Sequence, residues 1–211
     1  MATVALFPIP NAVAFPGTIF PLHVFEPRYR KLVQDCVEEQ RMVGISHVIK
    51  AIHTPAEPKT LEKALSSNQT TYKPRQVFCA GHCEIIETTS DGRILTHVHI
   101  EQRLTLEREL QSLPYRIVDC APLLDEPDDQ DAAANRELQQ QINTALQNLL
   151  TKQNPDNANR LNTPQWLTLT PAEFSFKIFQ HIQLDADIMQ DILEMPSANA
   201  RLNLIWQILS Q

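Results

Sequence analysis

The sequence predicts an α+β protein in which six to seven short strands and one helix make a closed or nearly closed small barrel, with a four-helix bundle after it. Three observations carry that expectation. Residues 1–123 are rich in Val, Ile, Thr and turn formers, whereas residues 132–211 carry apolar side chains at helical spacing. Between them, Asp125-Glu126-Pro127-Asp128-Asp129-Gln130-Asp131 sets five acids around one proline, which resists packing and marks 124–131 as an exposed acidic connection. Asp91-Gly92, between two apolar runs, is a strong hairpin signal.

In chain order, Val4–Phe7 and Ile19–Phe25 read as short strands separated by a loop that turns at Pro16-Gly17. Pro27 suits the first position of a helix, and the acid Glu26 before it suits the positive end. Tyr29, Leu32, Val33, Cys36 and Val37 then form one apolar stripe, so a helix runs to about Gln40. Met42–Ile49 reads as a buried strand. Residues 50–74, with Pro55, Pro58 and Pro74, read as a long loop with one helical turn near Leu61–Leu65.

Val77–Thr89 and Arg93–Ile100 are the hairpin arms. A two-residue turn at Asp91-Gly92 pairs Thr88 with Leu95, Ile86 with His97, Glu84 with His99 and Cys83 with Ile100. Cys83, Ile85, Val98 and Ile100 then face the core, and Glu84, Ile86, His97 and His99 face outward. Arg103–Leu110 and Tyr115–Cys120 add two strands.

The second half carries one stripe through Leu138, Ile142, Leu146 and Leu150, broken at Asn154-Pro155-Asp156-Asn157. Thr170-Pro171-Ala172-Glu173 is a capping box that opens a helix bearing Phe174, Ile178, Phe179 and Ile182. Asp185 opens another helix, and Ala198–Leu209 forms the last after Pro196-Ser197.

Composition narrows function. At 43% hydrophobic and a net charge of −7, with no basic stripe beyond Arg28, Arg30 and Lys31, the chain lacks the face that phosphate neutralisation demands of a nucleic-acid binder. The amino terminus has no basic region and meets prolines at 8 and 10, so no signal peptide is expected; no apolar run reaches membrane-span length, and a cytoplasmic location follows. Four glycines leave no phosphate loop and no dinucleotide fingerprint, and no G-x-S-x-G elbow is present.

Two clusters invite a metal reading. In Cys79-Ala80-Gly81-His82-Cys83 the thiols lie roughly 13 Å apart along a strand, too far to share an ion without a sharp bend at Gly81. Glu84, His97 and His99 share one outer face, a two-His, one-carboxylate set whose plainer reading is cross-strand His–Glu pairing. No cofactor is expected.

The most distinctive stretch is Leu6 to Val33, LFPIPNAVAFPGTIFPLHVFEPRYRKLV. It resembles the opening of the substrate-binding domain of Lon proteases, with the L-F-P-x-P strand, the P-G turn and P-L-H-V-F-E-P-R-Y leading into a helix. Gly81–Ile86, Asp91-Gly92 and Arg103-Leu104-Thr105-Leu106 resemble that family's second signature. The resemblance implies a PUA-like pseudo-barrel over 1–123, a helical bundle over 132–211, and non-enzymatic binding of exposed or unfolded polypeptide. The chain ends where full-length Lon continues into an ATPase and a Ser-Lys protease.

On this reading the site lies around His23, Phe25 and Tyr29, with Glu26 and Arg28 beside them, the 50–74 loop as a lid and Phe176 from the bundle. Glu26 is expected to pair with Arg30, four residues on; a strand–helix junction locked by an ion pair and a helix cap is the structural alternative for Glu26 and Arg28, and burial in the helix stripe is the alternative for Tyr29. Polypeptide is the expected partner, with a separate protease or chaperone as a second. The rivals are an adaptor that delivers clients to such a protease, an RNA-binding PUA-like module, and a metal-dependent enzyme built on Glu84, His97 and His99.

Overall fold

A computed structural model of the protein describes residues 2–54, 60, 67, 70–127, 132–153 and 155–210. The chain divides into two compact units, residues 1–123 with 185–190, and residues 124–184 with 191–211. Among the described residues no helix is long and apolar enough to cross a membrane.

The first unit holds strands β1 (Ala2–Pro8), β2 (Ile19–Val24), β3 (Val43–Ser46), β4 (Val48–His53), β5 (Thr71–Pro74), β6 (Val77–Thr88), β7 (Ile94–Gln111) and β8 (Arg116–Pro122), with helix α1 (Pro27–Glu39). Six strands form one sheet in the order β2-β7-β6-β3-β1-β8, and β8 also pairs with β7. The 18-residue β7 makes this closure. It holds β6 along one edge, while β2 and then β8 take successive stretches of the other, at Ile94–His99 and Leu104–Gln111. The pairings therefore run β7-β6-β3-β1-β8 and back to β7, with β2 left as an end strand. Val4, Leu6, Phe78, Ala80, Leu104, Val118 and Cys120 fill the interior.

Three expectations change. Arg93–Ile100 and Arg103–Leu110 are not two strands but one, because bulges absorb the irregularity in the pattern. The buried strand expected over Met42–Ile49 stops at Ser46; β4 then leaves the main sheet and pairs with β5 as a separate two-stranded sheet, which exposes Ile49 and Ile52. Thr71–Pro74 is thus a strand rather than the end of a loop, and the turn expected at Leu61–Leu65 falls outside the described residues.

The hairpin register also differs. Thr89 and Arg93 bracket a three-residue turn with Gly92 at φ 82°, so Thr88 pairs with Ile94. A bulge at Ile86 shifts the register once more and sets Glu84 against His97 and Cys83 against Val98. Two single-residue shifts restore the original parity. The inward set therefore survives on β7, as Ile94, Thr96, Val98 and Ile100, while Ile85 is exposed rather than core. At Gly81 the two strands approach so closely that a Cβ would stand 1.7 Å from the His99 carbonyl oxygen.

The second unit contains α2 (Ala132–Gln153), α3 (Pro155–Arg160), α4 (Pro164–Leu167), α5 (Pro171–Lys177) with a 3-10 turn at Ile178–Gln180, and α7 (Ala198–Leu209). Helix α6 (Ala186–Glu194) is divided between the units, its first residues clustering with the first. Gln190 Nε2 donates to the Val77 carbonyl at 2.8 Å, and Arg75 pairs with Asp187. Helix α3 begins inside the stretch 154–157 read as a break, and both it and α4 start with a proline at the first position, where the missing N–H is not needed.

The acidic connection is not simply exposed. Arg201, fully buried on α7, donates to both Asp125 carboxylate oxygens at 2.8 and 2.6 Å, to Ser175 Oγ and to the Met195 carbonyl. Asp125 is therefore an internal anchor of the second unit, and the sequence hides this because its partner lies 76 residues away.

Candidate functional site

The junction from β2 to α1 separates the residues expected to share a site. On β2, Leu22 and Val24 turn inward and His23 outward, opposite Leu95. Phe25 is 38% exposed. Glu26 caps α1 through its backbone carbonyl, which accepts from the Tyr29 and Arg30 N–H groups, but its side chain makes no cap bond. Instead Glu26 Oε2 takes Arg28 at 2.9–3.0 Å, while Arg30 Nη1 donates to the Gly92 carbonyl at 3.1 Å. The expected Glu26–Arg30 pair is thus replaced, because Arg28 turns back along the helix entry and Arg30 reaches the hairpin turn.

Arg28 is the hub of this corner. Beyond Glu26, it donates to Thr71 Oγ1 at 3.0 Å and to the Thr70 carbonyl at 2.9 Å, and its guanidinium lies 4.6 Å from the Tyr29 ring centre. Tyr29 stacks on Phe7, with ring centres 4.0 Å apart and planes 12° apart. It is 7% exposed. Burial pushes its phenol up to about 12, against the opposing pull of Arg28 and Arg116, so it stays a protonated donor at neutral pH.

Arg28 and Tyr29 belong to a cleft of about 450 Å³ whose walls also include Leu6, Pro8, His53, Tyr72, Leu113, Tyr115 and Arg116. His23, Phe25 and Glu26 are not among its walls. Among the described residues no Asp or Glu lines it, although the whole chain carries a net charge of −7. Leu113 stands at the β7–β8 turn, 78% exposed. The Tyr115 hydroxyl is committed to Asp35 at 2.7 Å. By contrast, the hydroxyls of Tyr29 and Tyr72 have no hydrogen-bond partner among the described residues, and Arg116 meets only Glu109, through Nε at 3.4 Å. The cleft is thus aromatic and apolar with unspent donors, the composition of a small-ligand or peptide-side-chain pocket.

Sequence reasoning found two of these residues and missed Tyr72, Leu113, Tyr115 and Arg116, which three separate elements bring together. One signal was available: Ser112-Leu113-Pro114 places a large apolar residue in a turn, where polar residues are the rule.

The outer face of β6 and β7 carries His82, Glu84, His97, His99 and Glu101. Glu84 Oε1 meets His99 Nε2 at 2.9 Å and lies 3.9 Å from His97 Nδ1; Glu101 Oε1 meets His82 Nδ1 at 2.6 Å. These are cross-strand pairs, and among the described residues no group of three or more His, Cys, Asp or Glu is arranged to hold a metal ion. Cys79 is fully buried, and burial pushes the Cys83 thiol up to about 11. Phe176 lies in the interior of the second unit beneath Arg201, 4.1 Å from ring centre to guanidinium. The second unit has its own hollow of about 190 Å³ at Trp166, whose indole donates to Asn143 Oδ1 at 2.8 Å.

Comparison with known proteins adds three findings. Residues 3–211 match the family model described as the ATP-dependent protease La (LON) substrate-binding domain. A Lon N-terminal domain protein from Xanthomonas campestris is similar in fold, with a TM-score of 0.61, 16% identity, and coverage of 100% of this chain and 98% of that one. The N-terminal domain of Mycobacterium avium complex Lon protease is similar too, with a TM-score of 0.66, 15% identity, and coverage of 99% and 98%. No curated protein matches.

Proposed function

The chain belongs to the LON substrate-binding domain family, and from that membership we propose that it binds exposed or unfolded polypeptide without covalent chemistry, in the cleft between Tyr29, Tyr72, Leu113 and Arg116. The observation that carries the location is the coincidence there of three tyrosines, an exposed leucine and unspent hydrogen-bond donors. Each large apolar side chain buried contributes roughly 1.5–3 kcal/mol. Two or three such anchors, after the costs of association, give affinities around micromolar, which suits transient holding. β2, the end strand of the sheet, supports a second contact: a client strand added along it passes His23 and Phe25. The ring of strand pairings supports the PUA-like pseudo-barrel reading, and the helices after Leu123 support a separate bundle domain. The cytoplasm is the compartment we propose.

The test is suppression of aggregation. Purified protein is titrated into a chemically unfolded client without ATP, and light scattering is followed. Suppression at near-stoichiometric ratios is expected, and Tyr72→Ala with Leu113→Asp should weaken it at least about fivefold while leaving the melting temperature in place. No suppression across a panel of clients refutes the polypeptide reading. Suppression unaffected by the two substitutions moves the site away from the cleft.

A further inference from the structure

The cleft has a donor side and an apolar side. Tyr29, Tyr72 and Arg116 present hydroxyl and guanidinium donors, while Leu6, Pro8 and Leu113 present hydrocarbon. Arg28 also lines it but already serves Glu26, Thr70 and Thr71. The Arg116 side chain lines the cleft at only 18% exposure, and its one ion pair among the described residues is to Glu109, through Nε at 3.4 Å. Tyr29, Tyr72 and Arg116 line the same cleft, so these groups converge on one place. Among the described residues no acid lines the walls, and the carboxylates beside them, Glu109 on Arg116 and Glu26 on Arg28, are each already paired with a guanidinium, so an anionic oxygen entering there meets hydrogen-bond donors.

An internal Glu or Asp places its carboxylate at the end of a side chain with no apolar group beside it. The last residue of a polypeptide differs, since its α-carboxylate and its own side chain leave the same carbon. A cleft split between donors and hydrocarbon fits that geometry, and about 450 Å³ leaves room for the terminal residue and its neighbour.

We propose that this cleft captures the carboxyl-terminal residue of a polypeptide, with the α-carboxylate held by Arg116 and the hydroxyls of Tyr29 and Tyr72, and an apolar terminal side chain set against Leu6, Pro8 and Leu113. The proposal rests on the polypeptide-binding reading and gives it a chemical class of client, namely free apolar carboxyl termini.

Three fluorescein-labelled peptides test it by anisotropy with the full chain: one ending in leucine as the free acid, its carboxamide, and a carboxamide that differs only by a glutamate one residue before the end. The free acid should bind about tenfold or more tightly than the carboxamide. Arg116→Gln should remove that difference, and Tyr72→Phe, which deletes one hydroxyl only, should narrow it. Equal binding of acid and amide overturns the proposal, and so does a glutamate carboxamide that binds as tightly as the free acid. Aggregation suppression measured on the same preparation separates the two readings. If it persists while acid and amide bind alike, only the terminal-carboxylate proposal falls; if it is also absent, polypeptide binding falls with it.

Discussion

At Gly81, the backbone of β6 lies against that of β7 so closely that any Cβ collides with the His99 carbonyl. A collision with backbone cannot be relieved by a rotamer change, so the strands must separate locally. Gly81→Ala is expected to destabilise the protein by about 3 kcal/mol or more, read as a drop in urea midpoint. Arg201 poses the opposite problem, a charge at no exposure whose desolvation is offset by Asp125 together with Ser175 and the Met195 carbonyl. Removing only the acid, by Asp125→Ala, strands a buried cation and should cost about 3 kcal/mol. Combining it with Arg201→Met removes the stranded charge, so the double variant should be more stable than Asp125→Ala alone. A double variant of equal or lower stability would show that the remaining Arg201 contacts, not the ion pair, dominate.

Among the elements, α5 shows most plainly how local chemistry sets a boundary. Thr170 Oγ1 accepts from the Glu173 N–H, and the Glu173 carboxylate accepts from the Thr170 N–H at 2.9 Å. The box was legible because all its partners lie within four residues. Thr170→Ala should cost about 1 kcal/mol, visible as a lower melting temperature. The hairpin was legible in its existence but not its register. Asp91-Gly92 suits both a two-residue and a three-residue turn, and the bulge at Ile86 answers to the strand it opposes rather than to its own neighbours. β4 and β5 were missed for a related reason: β4 is exposed from Ile49 to His53 and the four residues of β5 are mostly half-buried, so neither strand has an apolar alternation to read.

For the molecule as a whole, several carboxylates sit below their ordinary range. Hydrogen bonds from Arg93 and Thr89 hold Asp91 at about 2. Bonds from Arg108 and Thr3 lower Asp119, and those from Thr170 lower Glu173. A carboxyl group whose folded value lies below its unfolded one stabilises the fold above the unfolded value and loses that contribution as pH falls toward the folded one. The melting temperature should therefore decline as pH falls from about 4.5 toward about 2. Burial beside Trp166 lowers His181 as well, which favours its neutral form. The unfolded chain then binds this proton more readily, so a smaller loss begins as pH falls through 6.5. A melting temperature flat from pH 7 to pH 3 would contradict both assignments.

The sequence by itself determined the α+β character, the family signature and most element positions, because periodicity, caps and turn residues act over a few neighbours. It also singled out Arg28 and Tyr29, which line the cleft. Only the tertiary structure decided that Arg28 serves Glu26 and β5, that Asp125 belongs to a buried ion pair, and that β7 is one strand closing the ring. The same holds for the cleft. Tyr29 on α1, Tyr72 on β5, and Leu113 and Arg116 at the β7–β8 turn come from three stretches far apart in the chain, and no local pattern records that folding lays their side chains around one space. Contacts among distant residues follow from packing and register, which depend on every strand between them at once.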